Sequence, residues 1–194
     1  MRRHRVLLAA WVAVIMAATS FAQQTGCSGG ILPTGRRRPC QPPAASLPNF
    51  GNAVQGPTQN STLTSFYSLG SYFVAPASGT YTTAHVYCLG SGSANQYVAI
   101  YNTSAGSLNG QSRVAYGTVT CGVTAGWVTG TISAPVVSGT TYFLSLFGTT
   151  GALYGYWDST TGTAAFDNIS GIPPVTASGW TNQTGKYSIY LTAP

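Results

Sequence analysis

Three observations in the sequence predict an all-β fold of sandwich or barrel type. Short runs rich in Val, Ile, Thr and Tyr recur from residue 71 to residue 192. Turn-forming clusters (Ala77-Ser78-Gly79, Ser91-Gly92-Ser93, Asn109-Gly110, Ala125-Gly126 and Ser138-Gly139) separate them, at the spacing of about 8–12 residues typical of sandwich strands. No stretch sustains a 3.6-residue period, glutamate is absent and Lys186 is the single lysine, so a helix has neither pattern nor propensity behind it.

The predicted strands, in order, are 71–75, 81–89, 96–101, 113–121, 127–132, 140–147, 153–158 and 186–192. Side chains alternate between the two faces of a strand, which sorts each run into an inward and an outward set. Val98 and Ile100 form one inward pair. In 140–147 the set Tyr142, Leu144, Leu146 alternates with Phe143, Ser145, Phe147. Phenylalanines on that second set imply a strand covered on both faces, or one that presents an apolar patch. In the last run Tyr187, Ile189 and Leu191 alternate with Ser188, Tyr190 and Thr192. Residues 58–194 make one domain, long enough to enclose a core.

Ahead of that domain lie two segments of different texture. Met1-Arg2-Arg3-His4-Arg5, the apolar run 6–18 and Ser20-Phe21-Ala22 read as a signal peptide, residues 1–22, cut after Ala22. The apolar run falls short of the roughly 20 residues of a spanning helix, so no membrane span is expected. Gln24 three residues before Cys27 argues against lipidation. Residues 23–57 carry Pro33, Pro39, Pro42, Pro43, Pro48 and Pro57 without a hydrophobic period, and read as an irregular, extended Pro-rich arm. Its Arg36-Arg37-Arg38 triplet reads first as a solvated basic turn, with contact to an anionic surface as the alternative.

Charge narrows the function. The formal net charge is +6, but Arg2, Arg3 and Arg5 leave with the leader and Arg36-Arg37-Arg38 sit in the arm. The domain keeps Arg113 and Lys186 against Asp158 and Asp167. Two cations cannot make a nucleic-acid surface. The four cysteines, Cys27, Cys40, Cys88 and Cys121, all follow the cleavage point. An even count in an exported chain reads as disulfides, with Cys27–Cys40 and Cys88–Cys121 as the local pairing and the second link joining neighbouring strands. No metal-ligand spacing is present, and no cofactor is expected.

A catalytic constellation is hard to assemble from these residues. A glycosidase needs two carboxyl groups, and only Asp158 with Asp167 could supply them. His85, the sole histidine after the leader, lies mid-strand between Ala84 and Val86, where a solvent-facing or satisfied core position accounts for it better than a triad. The Asn-x-Ser/Thr sequons at Asn60, Asn102, Asn168 and Asn182 are expected to carry no glycans, because the basic leader is of bacterial type.

Tyr72-Phe73-Val74-Ala75-Pro76-Ala77-Ser78-Gly79-Thr80, Val98-Ala99-Ile100-Tyr101, Ala125-Gly126-Trp127 and Ser138-Gly139-Thr140-Thr141-Tyr142-Phe143-Leu144 follow one another between about residues 70 and 148. In this order of turns and strand ends the chain resembles the antiparallel jelly-roll β-sandwich domains of secreted bacterial proteins and phage tail proteins, and carbohydrate-binding modules. The resemblance implies the fold. It brings no ligand-binding signature, and fold alone does not fix function.

Aromatic side chains are what the domain has in abundance. Sugars offer apolar C–H faces that stack on rings, and hydroxyls that seek the polar ends of Tyr and Trp or a carboxylate. In Leu153-Tyr154-Gly155-Tyr156-Trp157-Asp158, strand alternation puts Tyr154, Tyr156 and Asp158 on one face. Those three, completed by Trp180 from the loop after Ser178-Gly179, form the predicted ligand platform. Trp127 and Trp157 are assigned to the core. The expected function is that of a secreted, non-catalytic module binding a polysaccharide or cell-surface glycan. The alternative is a structural or adhesive surface subunit that self-associates through residues 23–57. A glycoside hydrolase using the two aspartates ranks third.

Overall fold

The computed structural model describes residues 45–60, 68–90, 95–149, 153–169 and 171–194. The leader, the Arg36-Arg37-Arg38 triplet and the Cys27–Cys40 pair lie outside the described residues. Ala45–Pro194 form one compact unit. It is all-β and every strand pair in it is antiparallel.

One layer of strands contains β1 (Phe50–Gly51), β11 (Ile189–Thr192), β4 (Gly79–Leu89) and β7 (Gly126–Val136), paired in that order. The other contains β10 (Thr181–Tyr187), β9 (Tyr154–Asp167), β3 (Ser68–Val74), β8 (Thr141–Phe147), β5 (Gln96–Asn102) and β6 (Arg113–Val119). The long strand β9 belongs to both, because its first residues pair with the end of β4 through Gly155 and Cys88. The two-residue strand β2 (Thr58–Gln59) also lies on β9. All eight predicted runs are strands, and the arrangement is sandwich-like.

The core forms between the layers because each strand keeps its alternation. Ala84, Val86, Ile132, Ala134, Ile189 and Leu191 point inward from the first layer. They meet Leu69, Val98, Ile100, Leu144 and Leu146 from the second. At about 25 cal/mol per Å2 of apolar surface, burial of this kind is the main term holding the layers together. Cys88–Cys121 is a disulfide with both cysteines fully buried. β4 and β6 are not hydrogen-bonded to each other, so the link joins the two layers rather than neighbouring strands. With its cysteines 33 positions apart in sequence, chain entropy assigns it about 3–4 kcal/mol.

β8 resolves the double register. Tyr142, Leu144 and Leu146 enter the main core, whereas Phe143 and Phe147 enter a second one on the outer face of the second layer, with Tyr101, Leu108, Ala177 and Trp180. This strand is therefore covered on both faces.

Two boundaries differ from expectation. The compact unit begins at Ala45, within the expected arm. Phe50 is fully buried and pairs with Leu191, and Tyr81 donates a hydrogen bond to the carbonyl of Pro48. The predicted run 186–192 is split at Ser188, where the chain passes from one layer to the other. Ser188 N–H donates to the Tyr156 carbonyl in β9, and its own carbonyl accepts from Tyr87 N–H in β4.

Candidate functional site

Strand pairing gathers aromatic residues on the outer face of the first layer. On β4, Ala84, Val86 and Cys88 are buried, which turns Thr83, His85 and Tyr87 outward. On β11, Ile189 and Leu191 are buried and Tyr190 and Thr192 face out. On β7 the outward residues near the start of the strand are Trp127, Thr129 and Thr131. The register then sets Tyr190 beside His85, Tyr87 beside Trp127, and Thr83 between Thr192 and Thr131.

Five rings form a continuous strip. Tyr156 meets Tyr87 at 4.9 Å and Tyr87 meets Trp127 at 5.5 Å, both edge to face. Trp127 meets Tyr190 at 5.2 Å, also edge to face, and Tyr190 stacks flat on His85 at 4.3 Å. Such pairs hold one another in place by about 0.5–1.5 kcal/mol each. Trp127 and Tyr190 come from strands on either side of β4, about 10 Å apart, so the indole must lie across β4 to reach. It remains 38 % exposed. His85 accepts or donates through Nε2 to Thr192 Oγ1 at 3.0 Å, and burial holds its pKa below the usual histidine value. The imidazole is therefore neutral at pH 7. The strip is apolar, uncharged and bordered by threonine hydroxyls.

The predicted platform residues divide. Tyr154 and Tyr156 do face outward, with Leu153 and Gly155 buried behind them. Tyr156 joins the strip, and its hydroxyl donates to Gln59 Oε1 at 3.3 Å. Tyr154 sits opposite Leu89 at the end of β4. Trp180 is not on this surface. It is only 5 % exposed and packs on Phe143 and Phe147 at 4.9 and 5.7 Å, filling the second core. Trp127, expected in the core, is the exposed centre of the strip. Trp157 does face inward, stacked on Tyr187 at 5.3 Å. Tyr87, Tyr190 and His85 were missed as site residues. Their alternation was visible in Thr83-Ala84-His85-Val86-Tyr87, but the strand pairing that brings them together was not.

Asp158 continues the outward face of β9 next to Tyr156. Its carboxylate accepts from Thr160 N–H and Thr160 Oγ1 through Oδ1, and from Thr161 Oγ1 through Oδ2. These bonds hold its pKa below the ordinary aspartate value. Lys186 lies directly opposite on β10. The two flank a groove of about 170 Å3 whose far wall is the loop of residues 52–57. That loop is fixed by Asn52, which donates to the Tyr187 carbonyl, and by Gly56 N–H, which donates to Ser188 Oγ. A Cβ at Gly56 would come within 2.2 Å of the Trp157 backbone.

Asp158 and Asp167 do not share a site. Lys186 opposes Asp158 while Thr181, at the other end of β10, opposes Phe166, which separates the two carboxyl groups by about 20 Å of strand. Glycosidase carboxyl pairs stand at most about 10 Å apart. Asp167 instead lies at the end of β9. Oδ1 accepts from Asn168 N–H, Oδ2 is buried without a partner, and burial raises its pKa. Because the folded-state pKa is the higher one, the stability the group contributes is present in acid and is lost as pH rises through that pKa. Asp167→Asn is thus expected to raise the stability at pH 7 by less than about 1 kcal/mol given the solvent at its exposed edge, and the melting temperature with it. The gain should vanish below about pH 3, where both forms are neutral. Melts across pH 3–8 check this, and a gain independent of pH would assign the effect elsewhere.

No protein-family model matches the chain, and no curated protein matches it.

Proposed function

We propose that the protein is an exported, non-catalytic carbohydrate-binding module, with the strip Tyr156–Tyr87–Trp127–Tyr190–His85 as its binding face. The single observation that carries this reading is Trp127, an indole lying across β4 and 38 % exposed at the junction of two tyrosines. A fully apolar ligand would leave the bordering Thr hydroxyls unpaired, and a charged one would find no excess of opposite charge, since Asp158 and Lys186 at the Tyr156 end of the strip oppose each other. A sugar satisfies both the ring faces and the hydroxyls. Export is supported by the buried Cys88–Cys121 disulfide, which persists in oxidising compartments. The jelly-roll reading is supported by two four-strand paths, β1-β11-β4-β7 and β3-β8-β5-β6. The wide separation of Asp158 and Asp167 supports the non-catalytic reading.

The test is affinity electrophoresis in gels containing xylan, mannan, β-glucan or hydroxyethyl cellulose, with pull-down on insoluble chitin and cellulose. The protein is expected to be retained by at least one polysaccharide. Trp127→Ala should weaken that retention by about 30-fold or more, the size of a central hot spot, with a stability loss of about 1–3 kcal/mol for the two ring pairs it makes with Tyr87 and Tyr190. Retention by none of the six, together with concentration-dependent assembly that Trp127→Ala abolishes, would move the strip to the second reading, a structural or adhesive subunit.

A further inference from the structure

We propose that the groove between Asp158, Lys186 and the loop of residues 52–57 is a polar subsite, which grips the vicinal hydroxyls of one uncharged sugar residue at the end of the strip. The inference rests on the carbohydrate reading and adds to it the position and chemistry of a second contact.

Continuity is the first ground. Asp158 follows Tyr156 on the same face of β9, about 7 Å further along the strand, and Tyr187 opposite Trp157 keeps the alternation in step across this stretch. Lys186 shares that outward face because Tyr187 beside it is buried. A chain lying on Tyr156 therefore reaches the groove without leaving the surface.

Donor and acceptor chemistry is the second. The Asp158 carboxylate only accepts and the Lys186 ammonium only donates. Three internal hydrogen bonds orient the carboxylate, two on Oδ1 and one on Oδ2, so Oδ2 retains lone-pair capacity for a ligand hydroxyl. Among the described residues no ion pair within contact distance ties up Lys186. Gln55, exposed on the facing loop, offers both a donor and an acceptor. A vicinal diol can donate to the carboxylate with one hydroxyl and accept from the ammonium with its neighbour. Val54 is 71 % exposed on the loop and gives the C–H edge of a ring something apolar to meet.

The groove carries one charge of each sign, so an acidic sugar meets Asp158 as well as Lys186 and an amino sugar meets Lys186 as well as Asp158. Neither gains the net attraction that would offset desolvating its own charge. An uncharged hexose or pentose has no such charge to desolvate.

The experiment uses whichever of the six polysaccharides retains the wild-type protein, with its O-methylated derivative. Lys186→Met and Gln55→Ala should each weaken retention by about tenfold, the size of a lost hydrogen bond to a charged group or its partner. Their melting temperatures should stay at the wild-type value. Methylation removes the donor that the Asp158 carboxylate needs and puts a methyl group on the oxygen that faces Lys186, which holds the ring out of the groove. On the methylated polymer wild type and Lys186→Met should therefore bind alike; the two changes act on one interaction and are not additive. Retention lost in Trp127→Ala but unchanged in Lys186→Met and Gln55→Ala overturns the subsite and leaves the strip standing. Additive losses from Lys186→Met and methylation also overturn it. Retention of the wild type by none of the polymers overturns the carbohydrate reading itself.

Discussion

Trp180→Ala should lose about 3–5 kcal/mol of stability, the cost of deleting a buried aromatic ring. In a body of this size that lowers the melting temperature by on the order of 10 °C. The ring is 5 % exposed and fills the second core against Phe143 and Phe147. Its backbone is clamped as well: Trp180 N–H donates to Asn109 Oδ1 at 3.0 Å, and Asn109 Nδ2 donates to the Trp180 carbonyl at 3.1 Å. Removing the ring opens a cavity that neither the rigid β8 nor the clamped segment can collapse to fill. Trp180→Phe should cost far less, about 1 kcal/mol, since it keeps most of the volume and also deletes a buried Nε1–H that has no acceptor. Thermal and urea melts of the two variants check the contrast. Below its melting temperature Trp180→Ala should still be retained on any polysaccharide that holds the wild type. Loss of retention in a folded Trp180→Ala would return this residue to the binding face.

The exchanged roles of Trp127 and Trp180 show where sequence runs out. Each follows a small residue and a glycine, Ala125-Gly126-Trp127 and Ser178-Gly179-Trp180, so local chemistry is nearly the same. What differs is what covers them. Gly126 pairs with Cys88, so Trp127 starts β7 on an outer face with no strand above it. Trp180 comes just before β10 and falls over the phenylalanines of β8. The eight main strands were legible because period-two alternation persists through five or more residues. β1 and β2 are two residues each, too short to show a period. The second half of β9 was missed because Ser159-Thr160-Thr161-Gly162-Thr163 reads as a turn, and β10 because its exposed Thr-Asn-Gln-Thr stretch has no apolar face. Tyr154, Tyr156 and Asp158 were placed correctly on one face by alternation alone. Their partners Tyr87, Trp127 and Tyr190 depend on pairings between distant strands, which no local pattern encodes.

Gly130→Ala and Gly117→Ala should each cost about 2–4 kcal/mol, at and beyond the range usual for overpacking. The reason is space rather than backbone conformation, since neither glycine is among those with a positive φ. A Cβ on Gly117 would lie 2.0 Å from the Thr131 carbonyl oxygen, and one on Gly130 would lie 2.0 Å from that of Thr118. Both obstacles are backbone, so no side chain can swing aside and the strands themselves must part. β6 and β7 are not hydrogen-bonded to each other; they cross backbone against backbone at these glycines, which brings one edge of the first layer onto the second. Gly126 on the same strand supplies the control: nothing lies within 4 Å of its added Cβ. Gly126→Ala should therefore be neutral or gain up to about 1 kcal/mol from the stiffer unfolded chain. The two damaging substitutions relieve the same crossing once the strands have separated, so the double variant should cost clearly less than the two losses added. Urea melts of the four variants decide it. Equal stability of Gly130→Ala and Gly126→Ala would mean that the layers do not meet at this crossing.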